Sequence, residues 1–264
     1  MKRYISLVLV VLLLAISLST VAQEEDAAQH TVTFDSYRFS FIEELGTNVN
    51  IMQIPGDPVE SAGPGFSDAA KVQFNLYNAG QPNESLFDTG GVRFYRMDDL
   101  MQYGFLAAQV EKLQMLLEER PDLAQYESGI NNPELGSLPY VPVLTHGAVL
   151  TARAHYVETE AVQGIAYIQV VSADLAPFTS RDFSHTFQGI SSDGQYYVST
   201  NFNLNTTLFP ETLEGTDFNM AAFQAQWPEY LVESIATLNQ AEAHDFTPSL
   251  DAIDAVVQSI SFVE

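Results

Sequence analysis

FSHTFQGISSDGQYYVSTNFNL, residues Phe183 to Leu204, alternates apolar and polar side chains on both sides of a Ser-Ser-Asp-Gly turn. Alternation with a period of two predicts a β-strand, and two such runs around a Gly-containing turn predict a hairpin. We predict that Ile190 and Gln195 flank a four-residue turn, because slipping the register by one residue would pair an apolar row with a polar row. The predicted cross-strand pairs are Phe187 with Val198, Phe183 with Phe202, and His185 with Thr200.

His185 falls on the apolar row of this hairpin. A histidine in that position is either a residue of the core or a ligand of a metal or small molecule. Buried polar groups in proteins are nearly always hydrogen-bonded. We therefore expect His185 to be a core histidine that is bonded to Thr200 or to the backbone.

A second hairpin is predicted just before the first, with strands at Val149–Val157 and Ile165–Val171. Regular alternation places one set of residues on the apolar face: Leu150, Ala152, Ala154, Tyr156, Ala166, Ile168 and Val170. The opposite face then carries Arg153, His155, Tyr167 and Gln169.

The polar faces of the two hairpins form one nearly uncharged patch if both hairpins belong to the same sheet. Its candidate ligand-binding residues are Arg153, His155, Tyr167, Gln169, Tyr197 and Asn201. Arg153 is the one fixed charge of the patch that can bind a carboxylate. The patch therefore predicts a site for a small polar ligand. The alternative is a solvated face of an antiparallel sheet, which has the same composition.

Three helices are predicted from apolar residues spaced three and four apart. The first runs from Asp99 to Arg120, and the second has Pro228 in its first turn. The third is capped by Thr247 and turns Asp251 and Asp254 toward solvent.

Further strands are predicted within Thr31–Ile54, at Lys71–Tyr77 and at Val92–Tyr95. The fold class that follows is α+β, with an antiparallel sheet of about six to nine strands flanked by helices in an αβα sandwich-like arrangement. We assign residues 30–264 to a single domain, because neither half of the chain supplies both a sheet and its helical cover.

The composition of the 264-residue chain limits its partners. The formal net charge is −24 because Lys and Arg number only 10 against 34 Asp and Glu. Nucleic acids and anionic membrane surfaces are bound by clustered Lys and Arg, so neither is an expected partner. The chain has no cysteine, which excludes disulfides and thiol chemistry.

The first 22 residues have the layout of a secretory signal peptide. Lys2 and Arg3 precede an apolar run from Ile5 to Leu18, and small residues lead to an expected cleavage after Ala22. Residues 23–29 are then a short linker. We expect a secreted or extracytoplasmic protein with no membrane segment after cleavage. The alternative is an uncleaved helical anchor, because the apolar run approaches the length that spans a bilayer.

No motif for phosphate binding, serine nucleophiles, zinc peptidases or calcium loops occurs in the chain. The five histidines include no pair with the spacing of metal ligands on one helix. We therefore predict no catalytic residue, no metal and no cofactor. The predicted function is a non-enzymatic binding or accessory module for a small polar ligand or an envelope protein. The alternative is a secreted hydrolase whose site is assembled from sequence-distant residues.

Two segments carry a resemblance to known proteins. HTFQGISSDGQYYVST, residues 185–200, and FTPSLDAIDAVVQSISF, residues 246–262, resemble a group of uncharacterised exported bacterial proteins. That group has a Phe-Gln-Gly strand, an Asp-Gly turn and a Tyr-Tyr-Val strand before its last helices, and it implies no activity. The closing helix also resembles the end of the sandwich fold shared by photosystem PsbP and Mog1-type proteins. The second resemblance implies an antiparallel sheet flanked by helices.

Overall fold

The fold is α+β, as the sequence predicts, and its strands are paired antiparallel. The computed structural model describes residues 29–59, 67–78, 90–127, 136–142, 147–173, 175–214 and 219–263. The expected signal peptide, residues 1–22, and residues 23–28 of the expected linker lie outside these ranges. Gln29, assigned above to the linker, instead begins the first strand.

More of the described residues lie in strands than in helices. They are β1 (Gln29–Phe34), β2 (Tyr37–Ile42), β3 (Asn48–Ile54), β4 (Lys71–Tyr77), β5 (Gly91–Arg96), β6 (Ala148–Glu158), β7 (Val162–Val171), β8 (Phe183–Ser191), β9 (Tyr196–Thr206), β10 (Phe246–Thr247) and β11 (Ser261–Phe262). The helices are α1 (Met97–Leu100), α2 (Gly104–Glu119), α3 (Met220–Gln240) and α4 (Leu250–Ser259). Short 3₁₀ helices lie at Leu123–Tyr126 and Ala243–Asp245.

The described strands form two sheets, whereas the sequence predicted one. The main, eight-stranded sheet has the order β3-β4-β5-β9-β8-β7-β6, with β10 paired to β9. The second sheet has the order β1-β2-β11. Pairing of β5 with β9 joins the strands that precede residues 136–142 to the strands that follow them.

The main sheet is buried on both faces. One face packs against the second sheet, α3 and α4 and forms the large core, whose members include Phe39, Phe74, Phe94, Phe187 and Ile253. The other face packs against α2 and residues 136–142 and forms the small core, whose members include Leu106, Val110, Val141, Tyr167 and Tyr197. Burial of both faces leaves little of this sheet in contact with water.

The hairpin of β8 and β9 confirms the predicted faces and corrects the predicted register. Phe187 pairs with Thr200 and His185 pairs with Phe202, so the prediction is wrong by two residues. A shift of two residues leaves each side chain on its predicted face, because side chains alternate with a period of two. The apolar row is buried as expected, with at most 2% exposure for Phe183, Phe187, Val198 and Phe202.

The shift arises because the turn lies one residue later than predicted, at residues 192–195. Ser191 Oγ donates to the carboxylate of Asp193 at 2.5 Å and accepts from the Tyr196 N–H at 2.9 Å. The same Asp193 carboxylate accepts from the Gln195 N–H at 3.0 Å. These bonds keep Ser191 within β8, so the strand is longer than its apolar pattern indicates.

The helix predicted from Asp99 to Arg120 is two helices, because residues 101–103 interrupt it between α1 and α2. The second predicted helix begins earlier than expected. Asn219 Oδ1 accepts from the Ala222 N–H at 3.0 Å and caps α3, which leaves Pro228 inside the helix and not in its first turn. No helix among the described residues is both long enough and apolar enough to cross a lipid bilayer.

The cap of α4 is Ser249 and not Thr247, which belongs to β10. Ser249 Oγ accepts from the Ala252 N–H at 3.3 Å. At the other end of α4, Ser259 Oγ accepts from the Ser40 N–H of β2 at 2.8 Å and donates to the Ser40 carbonyl at 3.1 Å. The helix is therefore bonded directly to the second sheet.

A pair of glycines explains the Phe-Gln-Gly segment of β8. Gly164 of β7 and Gly189 of β8 are cross-strand partners, and the Phe187 ring lies against both of them. A Cβ atom at Gly164 would lie 2.3 Å from the Gln188 carbonyl oxygen and 2.6 Å from a Phe187 ring carbon. The absence of side chains at this pair makes room for a fully buried aromatic ring.

Gly164→Ala should destabilise the protein by about 2 kcal/mol, because the added methyl group overpacks the sheet against a backbone oxygen that cannot move alone. Urea denaturation measures this free energy. Gly104→Ala is the matched control, because a Cβ atom there meets nothing within 4 Å. Equal stability of the Gly164 variant and the wild type would contradict this packing.

Candidate functional site

A bulge in β6 divides the predicted ligand-binding patch. Arg153 has a φ of 55°, and the pairing of β6 with β7 shifts between Ala152 and His155. As a result His155 pairs with Ala166 of the large core, while Tyr156 pairs with Ile165 of the small core. The prediction that His155 shares a face with Tyr167 is therefore wrong, and so is the prediction that Tyr156 shares a face with Ala166.

Arg153 uses its side chain to bond the end of α3. Its Nη1 donates to the carbonyl oxygens of Leu238 at 3.0 Å, Asn239 at 3.4 Å and Ala241 at 2.6 Å. Its backbone N–H donates to Asn239 Oδ1 at 2.8 Å. A cation at the carboxyl end of a helix satisfies carbonyls that have no partner within the helix. Arg153 thus has a structural role that the sequence did not indicate.

Tyr167 lies on the opposite face of the sheet, where residues 136–142 and α2 cover it. Its phenol donates to the Pro139 carbonyl oxygen at 2.9 Å. The Tyr197 phenol donates to Gln188 Oε1 at 2.8 Å, and the same oxygen accepts from the Val141 N–H at 2.9 Å. Burial raises the pKa of both phenols well above the ordinary value.

Gln169 and Asn201 complete this covered face. Gln169 is 2% exposed, and Asn201 Oδ1 accepts from the phenol of Tyr140 at 3.2 Å. The six predicted residues are therefore not brought together. Arg153 and His155 lie at one cavity, and the other four lie under the cover on the far side of the sheet.

The cavity beside Arg153 lies where the large core meets solvent, and its volume is about 380 Å³. The bulge of β6, the end of α3 and the first turns of α4 form its walls. Its lining residues are Glu127, Arg153, Ala154, His155, Ile168, His185, Asn239, Ala243, Leu250, Asp251 and Asp254. Cavities of this size are typical of sites for small ligands.

His185 is the buried polar group in this cavity. His185 is 3% exposed, and its Nδ1 atom has no hydrogen-bond partner. Its Nε2 atom lies 3.8 Å from Asp254 Oδ1, which is too long for a hydrogen bond. The bond expected to Thr200 or to the backbone is not made by Nδ1, and the Thr200 hydroxyl instead accepts from the Phe187 N–H at 3.1 Å.

The electrostatics of the cavity keep His185 neutral. Burial, with smaller contributions from His155 and Arg153, lowers the pKa of His185 to about 3. Burial also raises the pKa of the Asp254 carboxyl, and Asp251 adds to that shift while His155 and Arg153 oppose it. At neutral pH the cavity therefore presents an uncharged imidazole beside carboxylates.

Carboxylates outnumber cations in the wall. Asp251, Asp254 and Glu127 face one guanidinium, and that guanidinium is bonded to helix carbonyls. Glu127 Oε2 accepts from the Asn239 side chain at 2.9 Å. No three His, Asp or Glu side chains within the described ranges are placed to hold a metal ion. The wall is thus rich in acceptors for an organic group.

Asp254 was expected to face solvent, and its side chain is 43% exposed, but it also lines the cavity, which the sequence did not indicate. It lies four residues after Leu250 and three before Val257, both of which are buried. That spacing places Asp254 beside the apolar stripe of α4 and not opposite it. A carboxylate at the margin of an apolar stripe is the signal that could have identified it.

Comparisons of the chain with protein-family models, with curated proteins and with solved structures find no match. The resemblance to exported bacterial proteins therefore stays a prediction. The site is interpreted from its own geometry.

Because its pKa is lowered by the fold, His185 should make the protein less stable as the pH is lowered from 7 to 5. The unfolded imidazole titrates near its ordinary value of 6.5 and the folded one near 3, so the unfolded chain binds the extra proton between these values. The loss between pH 7 and pH 5 should be about 2 kcal/mol smaller in His185→Leu than in the wild type. The raised pKa of Asp254 makes stability increase as the pH is lowered, and this effect is present in both the wild type and His185→Leu.

Urea denaturation at pH 7 and pH 5 measures this difference. His244→Gln is the control, because the His244 side chain is 83% exposed. Identical pH dependence in His185→Leu and the wild type would show that His185 is not held neutral by the fold.

Arg153→Met should cost about 2 kcal/mol of stability, because the terminal carbonyls of α3 lose a charged hydrogen-bond donor. The midpoint of urea denaturation reports the loss. Arg181→Met is the control, since Arg181 and its partner Glu211 are 69% and 78% exposed and lie 3.5 Å apart. A surface pair of this kind contributes little, so equal losses in the two variants would refute the capping role.

Proposed function

We propose that the protein is a secreted binding protein whose cavity between β6, β8, α3 and α4 holds a small organic cation. The observation that carries this proposal is the unpartnered Nδ1 atom of His185, a residue that lines the cavity. A buried polar atom without a partner is costly to a fold, so its presence beside a cavity calls for an explanation. A neutral imidazole nitrogen accepts a hydrogen bond from a ligand.

The charge of the cavity supports a cationic ligand. His185 and Asp254 offer acceptors, and Asp251 adds a second carboxylate on the same turn of α4. An ammonium group has three donors and one positive charge, which matches this wall. The chain as a whole carries −24, so its field also attracts cations.

Secretion is part of the proposal and is supported by the composition of residues 1–22. The exposed apolar residues favour binding of a small ligand over docking to an envelope protein. The exposed large apolar residues in the described part of the chain are Val59, Met101, Met115, Met220 and Val232. They lie on separate elements or separate turns of α3, whereas a docking surface needs a contiguous patch.

A secreted hydrolase is the second candidate, because His185 and Asp254 are a histidine and a carboxylate in contact at a cavity. Two observations favour binding. The lining residues that the structure describes offer no hydroxyl, thiol or amine as a nucleophile. A histidine whose pKa is about 3 is also a weak general base at neutral pH.

1,4-Diaminobutane is the probe for the proposed site, and 1,4-butanediol is the uncharged analogue of the same length. Calorimetry should show that the wild type binds the diamine and not the diol. Asp254→Asn should weaken binding of the diamine about tenfold, because a charged hydrogen bond to the ammonium group is lost. Glu233→Gln, an exposed change on α3, should bind as the wild type does.

Equal binding of the diamine by Asp254→Asn, or no binding by the wild type at millimolar concentration, would contradict the proposal. The hydrolase is tested separately with ester, glycoside and peptide substrates. Turnover that is abolished in His185→Leu would replace the binding role with catalysis.

A further inference from the structure

A second cavity is lined by residues of both sheets and lies beside the turn that joins β1 to β2. Its volume is about 370 Å³, which is within the range of sites for small ligands. Val72 of β4 and Phe94 of β5 are cross-strand partners and form its apolar side together with Ile54 of β3. Tyr37, the first residue of β2, stacks on the Phe94 ring with 4.4 Å between the ring centroids. The cavity therefore has an apolar side that two packed aromatic rings hold in place.

The phenol of Tyr37 is the polar group of a buried residue at this cavity. Tyr37 is 5% exposed, and its hydroxyl has no hydrogen-bond partner among the described residues. Burial raises the pKa of the phenol to about 12, so the hydroxyl keeps its proton at neutral pH. The charges of Asp35 and Asp99 add to that rise, and the charge of Arg96 opposes it. The cavity thus contains an unused hydrogen-bond donor close to three charged side chains.

These three charged side chains line the cavity without pairing to one another. Arg96 ends β5, Asp35 lies in the turn before β2, and Asp99 lies in α1. In the described part of the chain, no side-chain nitrogen of Arg96 lies within 4.0 Å of a carboxylate oxygen. Lys71, the other cation of the wall, is paired with Asp68. One guanidinium and two carboxylates are therefore held apart around the same space.

We propose that this cavity binds a zwitterion, namely an α-amino acid with an apolar side chain. The carboxylate of the ligand accepts from the guanidinium of Arg96 and from the hydroxyl of Tyr37. Its ammonium group donates to Asp35 and Asp99, and its side chain lies on the apolar side of the cavity. A ligand with a positive charge alone would leave Arg96 without a partner. A ligand with a negative charge alone would leave both aspartates without one.

This site is independent of the cation cavity that is proposed above. The two cavities share no lining residue. The cation cavity lies beside β6 and β8, whereas the second cavity lies beside β3, β4 and β5, toward the other edge of the main sheet. Either proposal can therefore fail without the other.

L-Leucine is the probe for the second cavity, and 4-methylpentanoate is the same molecule without its ammonium group. Calorimetry should show that the wild type binds leucine and binds 4-methylpentanoate at least about tenfold more weakly, because a charged interaction is lost. Asp254→Asn should bind leucine as the wild type does, which separates this site from the cation cavity.

The charged residues are tested one sign at a time. Arg96→Met should bind leucine at least about tenfold more weakly than the wild type does. Arg181→Met, which removes an exposed arginine, should bind leucine normally. The double variant Asp35→Asn, Asp99→Asn should also lose about tenfold in affinity for leucine. Asparagine is tolerated at position 35, where φ is 53°, so this change removes charge without straining the turn.

Tyr37→Phe removes the hydroxyl alone and adds a readout that does not depend on the ligand. Without leucine, this variant should unfold at the same temperature as the wild type or a higher one, because the hydroxyl has no partner within the fold. Its affinity for leucine should be about fivefold lower. A clearly lower melting temperature of the free variant would show that Tyr37 already has a partner, and it would overturn the proposal.

Three binding results would overturn the proposal as well. They are no binding of leucine by the wild type at millimolar concentration, equal affinity of the wild type for leucine and 4-methylpentanoate, and equal affinity of Arg96→Met and the wild type for leucine.

Discussion

Burial of both faces of the main sheet is the constraint from which the rest of the structure follows. A sheet covered on both sides cannot leave its polar side chains to water, so each of them needs a partner within the protein. Gln188 is an example of a buried side chain whose oxygen and amide group both have hydrogen-bond partners. Its oxygen accepts from Val141 and Tyr197, and its amide group donates to Thr186 and Ser199. Residues 136–142 are held over the sheet by such bonds, which give this irregular segment a defined position without regular secondary structure.

Among the described side chains of the main sheet, the buried polar atoms that have no hydrogen-bond partner lie at two places with opposite chemistry. On the large-core face, His185 is an acceptor among carboxylates. On the small-core face, Arg93 Nη1 and Asn75 Nδ2 are donors without a hydrogen-bond partner. Natural folds tolerate unpaired buried groups chiefly where function compensates for the lost stability. His185 lies on β8, whereas Asn75 and Arg93 lie on β4 and β5 of the same sheet, so strands of one sheet position both sets of groups.

The sequence predicted the α+β class and the faces of most strands, because alternation depends only on which residues are apolar. It could not fix the register of β8 and β9, since a shift of two residues leaves the same pattern. It also missed the bulge, because a positive φ is usually signalled by Gly or Asn and here the residue is Arg153. The covering of Tyr167 and Tyr197 depends on contacts between distant segments, which no local pattern encodes. For the same reason the sequence placed the six candidate ligand-binding residues on one face of the sheet, whereas the structure divides them between its two faces.

The second sheet has a consequence for the order of folding. Its central strand, β2, is completed by β11, and Ser40 is bonded to Ser259 across 219 positions of the chain. Contacts of such large sequence separation form late and slow the folding reaction. A chain that emerges from its amino end exposes the apolar row of β2, with Tyr37 and Phe39, long before its closing strand has been made. During that interval β2 has a free edge that can pair with other chains. The nascent protein is therefore most prone to aggregate before β11 has been synthesised.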